Sequence, residues 1–537
     1  MKFTPPVCKR FIINVLMFVV KPVTCQPAFF LLIYVLLNVL DLYSIAVFHG
    51  LLPLFKAVSG FIFCYMFCMP VIIMPSYYRW FYKVLILLFV IMSFVVDVYC
   101  ILLYRESFAT MSQDAVAAIL ATNPDEAFEF LSTYFALDKI LVVLSLLSFL
   151  LIVTCYLKRL RFKWNIFSRI VLFLVILFAC VFSVKKNEQI TASNTFILFT
   201  KECPDLLDYR QNPTVVCKND SPENIVMILG ESFVKSHSSL YGYEFRTNPL
   251  LNVMRARSEL YVYNDVKSAC YNTIPAVKSI MMSYTAEDSD SIEWYRYLTL
   301  IEVMQNSNYR TYWLSNQSKK GIYDNEVGRF ADLCDEQFFV GNIYSGMDRS
   351  DKDEKLLPLL KGIEPYDSKK KFFVLQMMGS HQAYALRYPE SFSKFSAEDY
   401  SVSHSHLSAS NRKTLSEYDN SVLYNDSIVC EIMRCFEGED AVVIYFSDHG
   451  QDVFDSSDDY AGHAKIGNEK SECAGRDIPF MVYTSPLFRE KHPELQLRIE
   501  NAVDRPYRTD SVMYTIMDVA GIETVNGVSY KHKSLFK

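Results

Sequence analysis

The chain has 537 residues, of which 51% are hydrophobic, and it carries a formal net charge of −6 at pH 7. Its length predicts two or more domains, and its acidic balance excludes the strongly basic character typical of nucleic-acid-binding proteins. The hydrophobic residues are unevenly distributed: residues 1–184 contain long apolar runs, whereas charges occur throughout residues 185–537. The sequence therefore predicts a membrane-embedded part followed by a water-soluble part.

Five apolar runs in the first part are long enough to cross a bilayer, which takes roughly 20 mostly apolar residues. They lie at residues 28–48, 57–75, 84–104, 139–157 and 167–184. An earlier run, residues 11–20, is too short to span; it is either an interfacial segment or similar to the apolar part of a signal peptide. Because five spans follow it and no small-residue cleavage site is evident, we predict an uncleaved five-span domain over residues 1–184.

Basic residues in the short loops predict the orientation of these spans, because Lys and Arg favour cytoplasmic loops. They cluster at the N-terminus, at Arg79 and Lys83, and within residues 158–163, which all lie on one side of a five-span arrangement. The acidic loop 105–138 lies on the other side. The C-terminal part is therefore expected outside the cytoplasm, which in a bacterium means a multi-pass inner-membrane protein with a periplasmic domain.

The polar segment 185–222 is predicted to link the two parts. Of the 14 cysteines, Cys203 and Cys217 are suitably placed for a disulfide across this linker, since an outer domain permits disulfides. Cys430 and Cys435 lie on one predicted helix, which is poor geometry for a bridge. No CxxC pair indicates a structural zinc site.

The second part reads as alternating strands and helices. The continuous apolar run 225–229 is typical of a buried parallel strand, and similar runs occur within residues 371–381 and 440–450. Helical patterns at 275–283 and 416–435 fall between them. This alternation predicts an α/β sandwich with a largely parallel sheet.

Polar residues follow the carboxyl ends of these strands, at the edge where open α/β sheets bind ligands. Glu231 follows the first strand, His381 a middle one, and Asp448 and His449 a later one. Glu231, Asp448 and His449 form a mixed oxygen and nitrogen set suited to Zn²⁺, with one position left open as a catalytic zinc site requires.

Thr273 in VKSACYNTIPAVKSIMM (residues 266–282) has two possible roles. As a helix N-cap, its hydroxyl would satisfy a backbone N–H, and Pro275 suits a first helical turn. As a nucleophile, its hydroxyl would fill the open metal position and become acidic enough to react. The second role requires that Thr273 meet the three strand-end residues.

Eight segments of the second part form a recognisable set and cover nearly all of residues 223–537: ILGESFVKSHSSLYGYEFRTNPLL, NTIPAVKS, WLSNQSKKG, MMGSHQAYALRYPESFSKF, EYDNSVLYND, YFSDHGQDV, YAGHAKIG and RPYRTDSVMYTIMDVAGI. The set resembles the membrane-bound phosphoethanolamine transferases of the alkaline phosphatase/sulfatase superfamily, and the five-span pattern matches too. The resemblance implies an α-helical five-span transmembrane domain plus an α/β/α sulfatase-like catalytic domain at residues 223–537 in the periplasm.

The resemblance also implies a reaction. Thr273 would attack the phosphorus of phosphatidylethanolamine, release diacylglycerol, and pass phosphoethanolamine to lipid A or another surface glycan, which is the modification linked to polymyxin resistance. The implied Zn²⁺ ligands are Glu231, Thr273, Asp448 and His449. His381 and His463 would hold phosphate oxygens, act as general acid or base, or bind a second zinc. The expected partners are the two lipids and the membrane, with no nucleic acid, and the protein is expected to be a monomer.

Four further residues are implied to contact the substrate. Gln317 and Lys320, in WLSNQSKKG, would approach the phosphate or the ethanolamine. Thr122 and Glu126, in the outward loop AAILATNPDEAFEFL, would contact the donor, although Ala118 replaces an Asn of the family. The residues beside Thr273 and the cysteine pattern also differ from the best-known lipid A enzymes, which leaves the acceptor open.

Three other functions are weighed against this one. A sulfatase needs Cys or Ser for conversion to formylglycine and an Arg four residues later, where this chain has Thr273 and Val277. A lipoteichoic-acid-type glycerol-phosphate transferase shares the spans and a threonine nucleophile but needs no pocket for an ammonium group. A non-catalytic relative would have lost part of the metal set. Two loops, one with His404 and His406 and one at residues 455–459, are predicted to be solvated.

Overall fold

A computed structural model describes the chain at residues 5–48, 53–104, 144–145, 148, 164–185, 205–218, 220–283, 294–317, 319, 326–340, 352–363, 370–464 and 468–537. The described residues divide into two units, one up to residue 185 and one from residue 205.

The N-terminal unit is helical. Its described helices are α1 (Pro5–Thr24), α2 (Pro27–Phe48), α3 (Pro53–Ile73), α4 (Ser76–Tyr104) and α5 (Ile166–Lys185). They pack through a buried apolar cluster that includes Ile33, Cys64, Val90 and Phe94. Within the described residues, the stretch Ser76–Val98 is long and apolar enough to cross a membrane, and Ile13–Thr24 with Pro27–Leu40 pass the same test as a pair bent by 63°.

Four of the five predicted spans coincide with described helices, whereas the run 139–157 lies almost wholly outside the described residues. The segments Gly60–Ile73 and Ile166–Leu177 are apolar but shorter than a span, so the count of five remains a prediction. The run 11–20 belongs to α1, a helix of 20 residues that extends beyond the run in both directions.

The C-terminal unit is built on a seven-stranded sheet in the order β3-β11-β8-β2-β7-β5-β6. Neighbouring strands run parallel except at β11, which is antiparallel to both its neighbours. In chain order the strands of the unit are β1 (Val215–Cys217), β2 (Asn224–Gly230), β3 (Leu260–Val262), β4 (Val266–Lys267), β5 (Tyr309–Ser315), β6 (Glu336–Phe339), β7 (Lys370–Gln376), β8 (Ala441–Ser447), β9 (Asp452–Val453), β10 (Ala461–Gly462), β11 (Phe480–Thr484), β12 (Tyr507–Arg508) and β13 (Ile522–Val525).

Helices cover both faces of this sheet. The helices of the unit are α6 (Pro249–Ala256), α7 (Thr273–Met281), α8 (Leu300–Asn306), α9 (Glu326–Leu333), α10 (Leu356–Lys361), α11 (Ala409–Cys435), α12 (Glu469–Arg476), α13 (Pro486–Lys491), α14 (Pro493–Glu500) and α15 (Val512–Val519). In β2, Met227 packs into the core that contains α7, α8 and α15, whereas Ile228 packs into the core that contains α6 and α11. Because both faces are buried, the central strands are apolar throughout, and the predicted α/β/α architecture of this unit is confirmed.

Three boundaries differ from the sequence predictions. The predicted linker 185–222 is not wholly a linker, because β1 pairs with β13 and Leu206 is buried in the same core. Cys217 is an exposed free thiol among the described residues, and Cys203, its expected disulfide partner, lies outside them. The predicted helices 275–283 and 416–435 begin earlier than expected, at Thr273 and Ala409.

Candidate active site

The strand ends bring three ligand-bearing side chains together. Gly230 and Ser447 are register partners at the ends of β2 and β8, so Glu231, Asp448 and His449 emerge side by side. His449 Nε2 lies 3.3 Å from Glu231 Oε1 and 3.5 Å from Asp448 Oδ2. All three side chains are buried, and their ligand atoms lie within 4.8 Å of one another.

The hydrogen bonds of this cluster leave the right atoms available for a metal ion. The His449 Nδ1 donates to the Gly450 carbonyl at 2.8 Å, which directs Nε2 toward the carboxylates. Asp448 Oδ1 accepts from the backbone N–H groups of Ser232 and His449, whereas Asp448 Oδ2 is buried without a hydrogen-bond partner in the described structure. A buried carboxylate oxygen without a donor, beside a second carboxylate and an imidazole nitrogen, fits the ligand preferences of Zn²⁺.

Crowding shifts the pKa values of these groups. Burial raises the pKa of Glu231, but the hydrogen bond and charge of His449 outweigh burial and leave it well below its usual range. Burial and the charge of Glu231 raise the pKa of Asp448 well above normal. Burial lowers the pKa of His449, but the two carboxylates raise it to about 9. The cluster thus retains a proton that a bound cation would displace, as is usual when metal binding is coupled to ionisation.

Thr273 meets this cluster. It is the first residue of α7, and Asn272, in extended backbone, occupies the N-cap position without a side-chain cap. The Thr273 hydroxyl donates to Glu231 Oε2 at 3.2 Å and lies 3.4 Å from His449 Nε2. The capping role is therefore wrong, because the residue that precedes the helix is Asn272 and the threonine side chain turns to the cluster instead.

The two other predicted histidines lie at the same edge. The ring of His463 is 5.0 Å from that of His449, between centroids. His381 follows β7, and its Nδ1 is buried without a partner among the described residues. Burial, together with positive neighbours, lowers the pKa of His381 to about 4 and that of His463 to about 3, so both imidazoles are neutral at pH 7.

Gln317 has a contact that the sequence did not predict. Its Nε2 donates to Glu231 Oε2 at 3.1 Å and to the Met377 carbonyl at 2.9 Å, while its Oε1 accepts from Gln376. Gln317 therefore orients a candidate metal ligand besides facing the site. The other predicted substrate contacts, namely Lys320, Thr122 and Glu126, lie outside the described residues.

Sequence reasoning missed the residues that shape the loop after β2. Ser232 has a φ of 56°, and its hydroxyl donates to Glu231 Oε1 at 2.7 Å. The buried Tyr418 hydroxyl donates to the Ser232 carbonyl and accepts from the Val234 N–H. Tyr418 lies in the EYDNS segment, but its spacing alone carries no sign of this contact.

The histidine-rich loop forms no comparable cluster. His404 and His406 have ring centroids 5.9 Å apart, and His404 Nδ1 lies 3.8 Å from Glu244. Within the described part of the chain, Glu231, Asp448 and His449 are the one set of three such side chains with converging ligand atoms.

Comparison with known proteins identifies the family. The family model described as Sulfatase matches residues 223–522, more than half of the chain. The chain belongs to the sulfatase family. This sulfatase-family chain is similar in sequence to phosphoethanolamine transferase EptC of Escherichia coli. The two are 26% identical over 458 residues, which cover 76% of this chain and 75% of EptC. The resemblance predicted from the motifs, and with it the assignment to an enzyme family, is confirmed.

Two solved structures share the fold of this sulfatase-family member. The integral membrane protein lipooligosaccharide phosphoethanolamine transferase A (EptA) from Neisseria meningitidis matches with a TM-score of 0.65 and 19% identity, over 95% of this chain and 97% of EptA. The C-terminal periplasmic domain of EptC from Escherichia coli, in complex with Zn, matches with a TM-score of 0.54 and 24% identity, over 61% of this chain and 90% of that domain. At these identities the likenesses show the fold.

Proposed function

We propose that the protein is a monomeric, zinc-dependent enzyme of the bacterial inner membrane that transfers phosphoethanolamine from phosphatidylethanolamine to lipid A or another surface glycan in the periplasm. One observation carries the proposal: the Thr273 hydroxyl lies within hydrogen-bond distance of Glu231 and His449, inside a buried cluster with ligand chemistry. The similarity to EptC, and the likeness in fold to a zinc complex and to a membrane-embedded transferase, support it.

In the first step, the Thr273 oxygen attacks the phosphorus of the donor and the bond to the diacylglycerol oxygen breaks. The hydroxyl proton passes toward the Glu231 carboxylate that already accepts its hydrogen bond. His381 and His463, as neutral imidazoles, hold the phosphoryl oxygens by donating N–H hydrogen bonds to them, and the proton released by Thr273 passes on to the leaving diacylglycerol oxygen. The product is phosphoethanolamine bound covalently to Thr273.

In the second step, an oxygen of an acceptor hydroxyl attacks the same phosphorus, the bond to the Thr273 oxygen breaks, and the proton released by the acceptor passes to that oxygen. Held by Glu231, Thr273, Asp448 and His449, Zn²⁺ would supply a Lewis acid that acidifies the hydroxyl and offsets phosphoryl charge. Gln317, Lys320, Thr122 and Glu126 are proposed to contact the donor headgroup, with the Glu126 carboxylate facing the ammonium. The added ammonium would make the surface less anionic and weaken polymyxin binding.

The test is the intact mass of the purified full-length protein after incubation with phosphatidylethanolamine in detergent. We expect a phosphoethanolamine-sized gain in the wild type and in Thr273→Ser, which retains a hydroxyl, but none in Thr273→Ala. Because Thr273 is not the helix cap, Thr273→Ala should fold normally, which its unfolding curve checks. A gain in Thr273→Ala would refute the nucleophile, and no gain in zinc-loaded wild type would refute the donor and lead to phosphatidylglycerol.

A further inference from the structure

Asp353 is a buried carboxylate that joins two loops of the active site. It lies in a short helical turn before α10 and is 4% exposed. Its Oδ1 accepts from the Met378 N–H at 2.8 Å and from Asn316 Nδ2 at 2.9 Å, and its Oδ2 accepts from the Gly379 N–H at 2.9 Å. Asp353 therefore holds the segment that leads from β7 to His381, and also the residue before Gln317.

The segment from Met377 to His381 lies directly on the main chain of Glu231. The Ser380 N–H donates to the Glu231 carbonyl at 3.0 Å. Gly379 has a φ of +50°, and a Cβ at this position would lie 2.7 Å from the Glu231 carbonyl oxygen. A residue with a Cβ would not fit this close to Glu231, so the segment packs against the main chain of Glu231 only because residue 379 is glycine.

Arg387 holds the other end of the same segment. Its guanidinium donates to the His381 carbonyl at 3.2 Å and to the Gln382 carbonyl at 2.8 Å, and the residue is 6% exposed. A buried anion thus accepts from the amides before His381, while a buried cation donates to the carbonyls at and after it. Charge-assisted hydrogen bonds of this kind are about twice as strong as neutral ones.

We propose that Asp353 and Arg387 are positioning residues that fix the His381 imidazole relative to the Thr273 nucleophile. The inference rests on the proposed function, in which His381 contacts the transferred phosphoryl group. Both act on the backbone that carries His381: Asp353 accepts from amides before it, and Arg387 donates to carbonyls at and after it. A misplacement of a reacting group by about 1 Å can lower a rate by about 100-fold, so loss of one bond to Asp353 is expected to slow transfer.

The experiment compares Asp353→Asn with Asp426→Asn in the full-length protein in detergent. Asp426 is a matched control, because it is also buried and accepts from two successive backbone N–H groups, those of Leu250 and Leu251, at the start of α6. In each variant an amide replaces one carboxylate oxygen, so one backbone N–H loses its acceptor. We expect the single-turnover rate of the mass gain at saturating phosphatidylethanolamine to fall about tenfold or more in Asp353→Asn and to stay at the wild-type value in Asp426→Asn.

Bound zinc and a double variant separate positioning from general damage. Zinc stoichiometry should equal that of the wild type in Asp353→Asn, and adding Asp353→Asn to His381→Ala should slow the reaction by less than twofold, because coupled residues are non-additive. The proposal is overturned by a wild-type rate in Asp353→Asn, by loss of zinc, or by rate effects that multiply in the double variant. If the wild type itself gains no mass, it is the proposed function that fails.

Discussion

Gly379→Ala tests whether the close approach of the His381 segment to Glu231 constrains the active site. The new Cβ would lie 2.7 Å from the Glu231 carbonyl oxygen and 2.9 Å from its amide nitrogen, and both neighbours are backbone atoms. Left-handed backbone costs a residue with a Cβ about 1–2 kcal/mol. Overpacking adds about 1–3 kcal/mol, so we expect the free energy of unfolding to fall by about 2–5 kcal/mol in total.

Gly527→Ala is the matched control. Gly527 also has left-handed backbone, with a φ of +77°, but a Cβ there would meet no atom within 4 Å. It should therefore lose only the backbone contribution of about 1–2 kcal/mol. Denaturant unfolding of both full-length variants in detergent, together with the rate of mass gain, provides the comparison. If Gly379→Ala is no less stable than Gly527→Ala and reacts at the wild-type rate, the reasoning about this contact is wrong.

Three further predictions concern the metal, the pH and one buried hydroxyl. Chelation should stop the mass gain and Zn²⁺ should restore it; a chelator-resistant reaction would rule out the metal mechanism. Burial raises the pKa of Asp426 to about 7, so the folded protein keeps this proton up to a higher pH than the unfolded chain does. The free energy of unfolding should therefore fall as the pH rises from 4 to 7. Urea titrations should show a smaller fall in Asp426→Asn, and an equal dependence of the unfolding free energy on pH in both proteins would contradict the assignment. Tyr418→Phe leaves the Ser232 carbonyl and the Val234 N–H without their partner. The free energy of unfolding, measured by thermal melts, should therefore fall by about 1–3 kcal/mol. An unchanged melting temperature would show that these hydrogen bonds contribute nothing to stability.

The edge that carries the candidate ligands was predictable because strand ends have a fixed place in a parallel sheet. The apolar run 225–229 had to be buried on both faces, so Glu231 had to emerge at its carboxyl end, beside residues that follow a parallel neighbour. Asp448 and His449 follow the run within 440–450 in the same way. The meeting of these three side chains follows from local pattern and sheet geometry alone.

Other features depend on tertiary contacts that local pattern does not contain. The capping preference of Thr273 was overridden because Asn272 takes the extended backbone before α7. The amide of Gln317 reaches Glu231 from a different strand, and Asp353 reaches three donors from a turn with no recognisable motif. Such side chains have ordinary surface-like sequence surroundings, and their burial appears only when distant loops are brought together.

The order of the candidate ligands along the chain has a consequence for biosynthesis. Glu231 precedes Asp448 by more than 200 residues, yet β2 and β8, which carry them, are neighbours in the sheet. Contacts between such distant segments form late, because a long intervening chain must first be closed into a loop. A nascent chain therefore exposes Glu231 and Thr273 well before Asp448 and His449 have been synthesised. The three candidate ligands therefore converge only after β8 has paired with β2, even though β11 still has to join the sheet on the other side of β8.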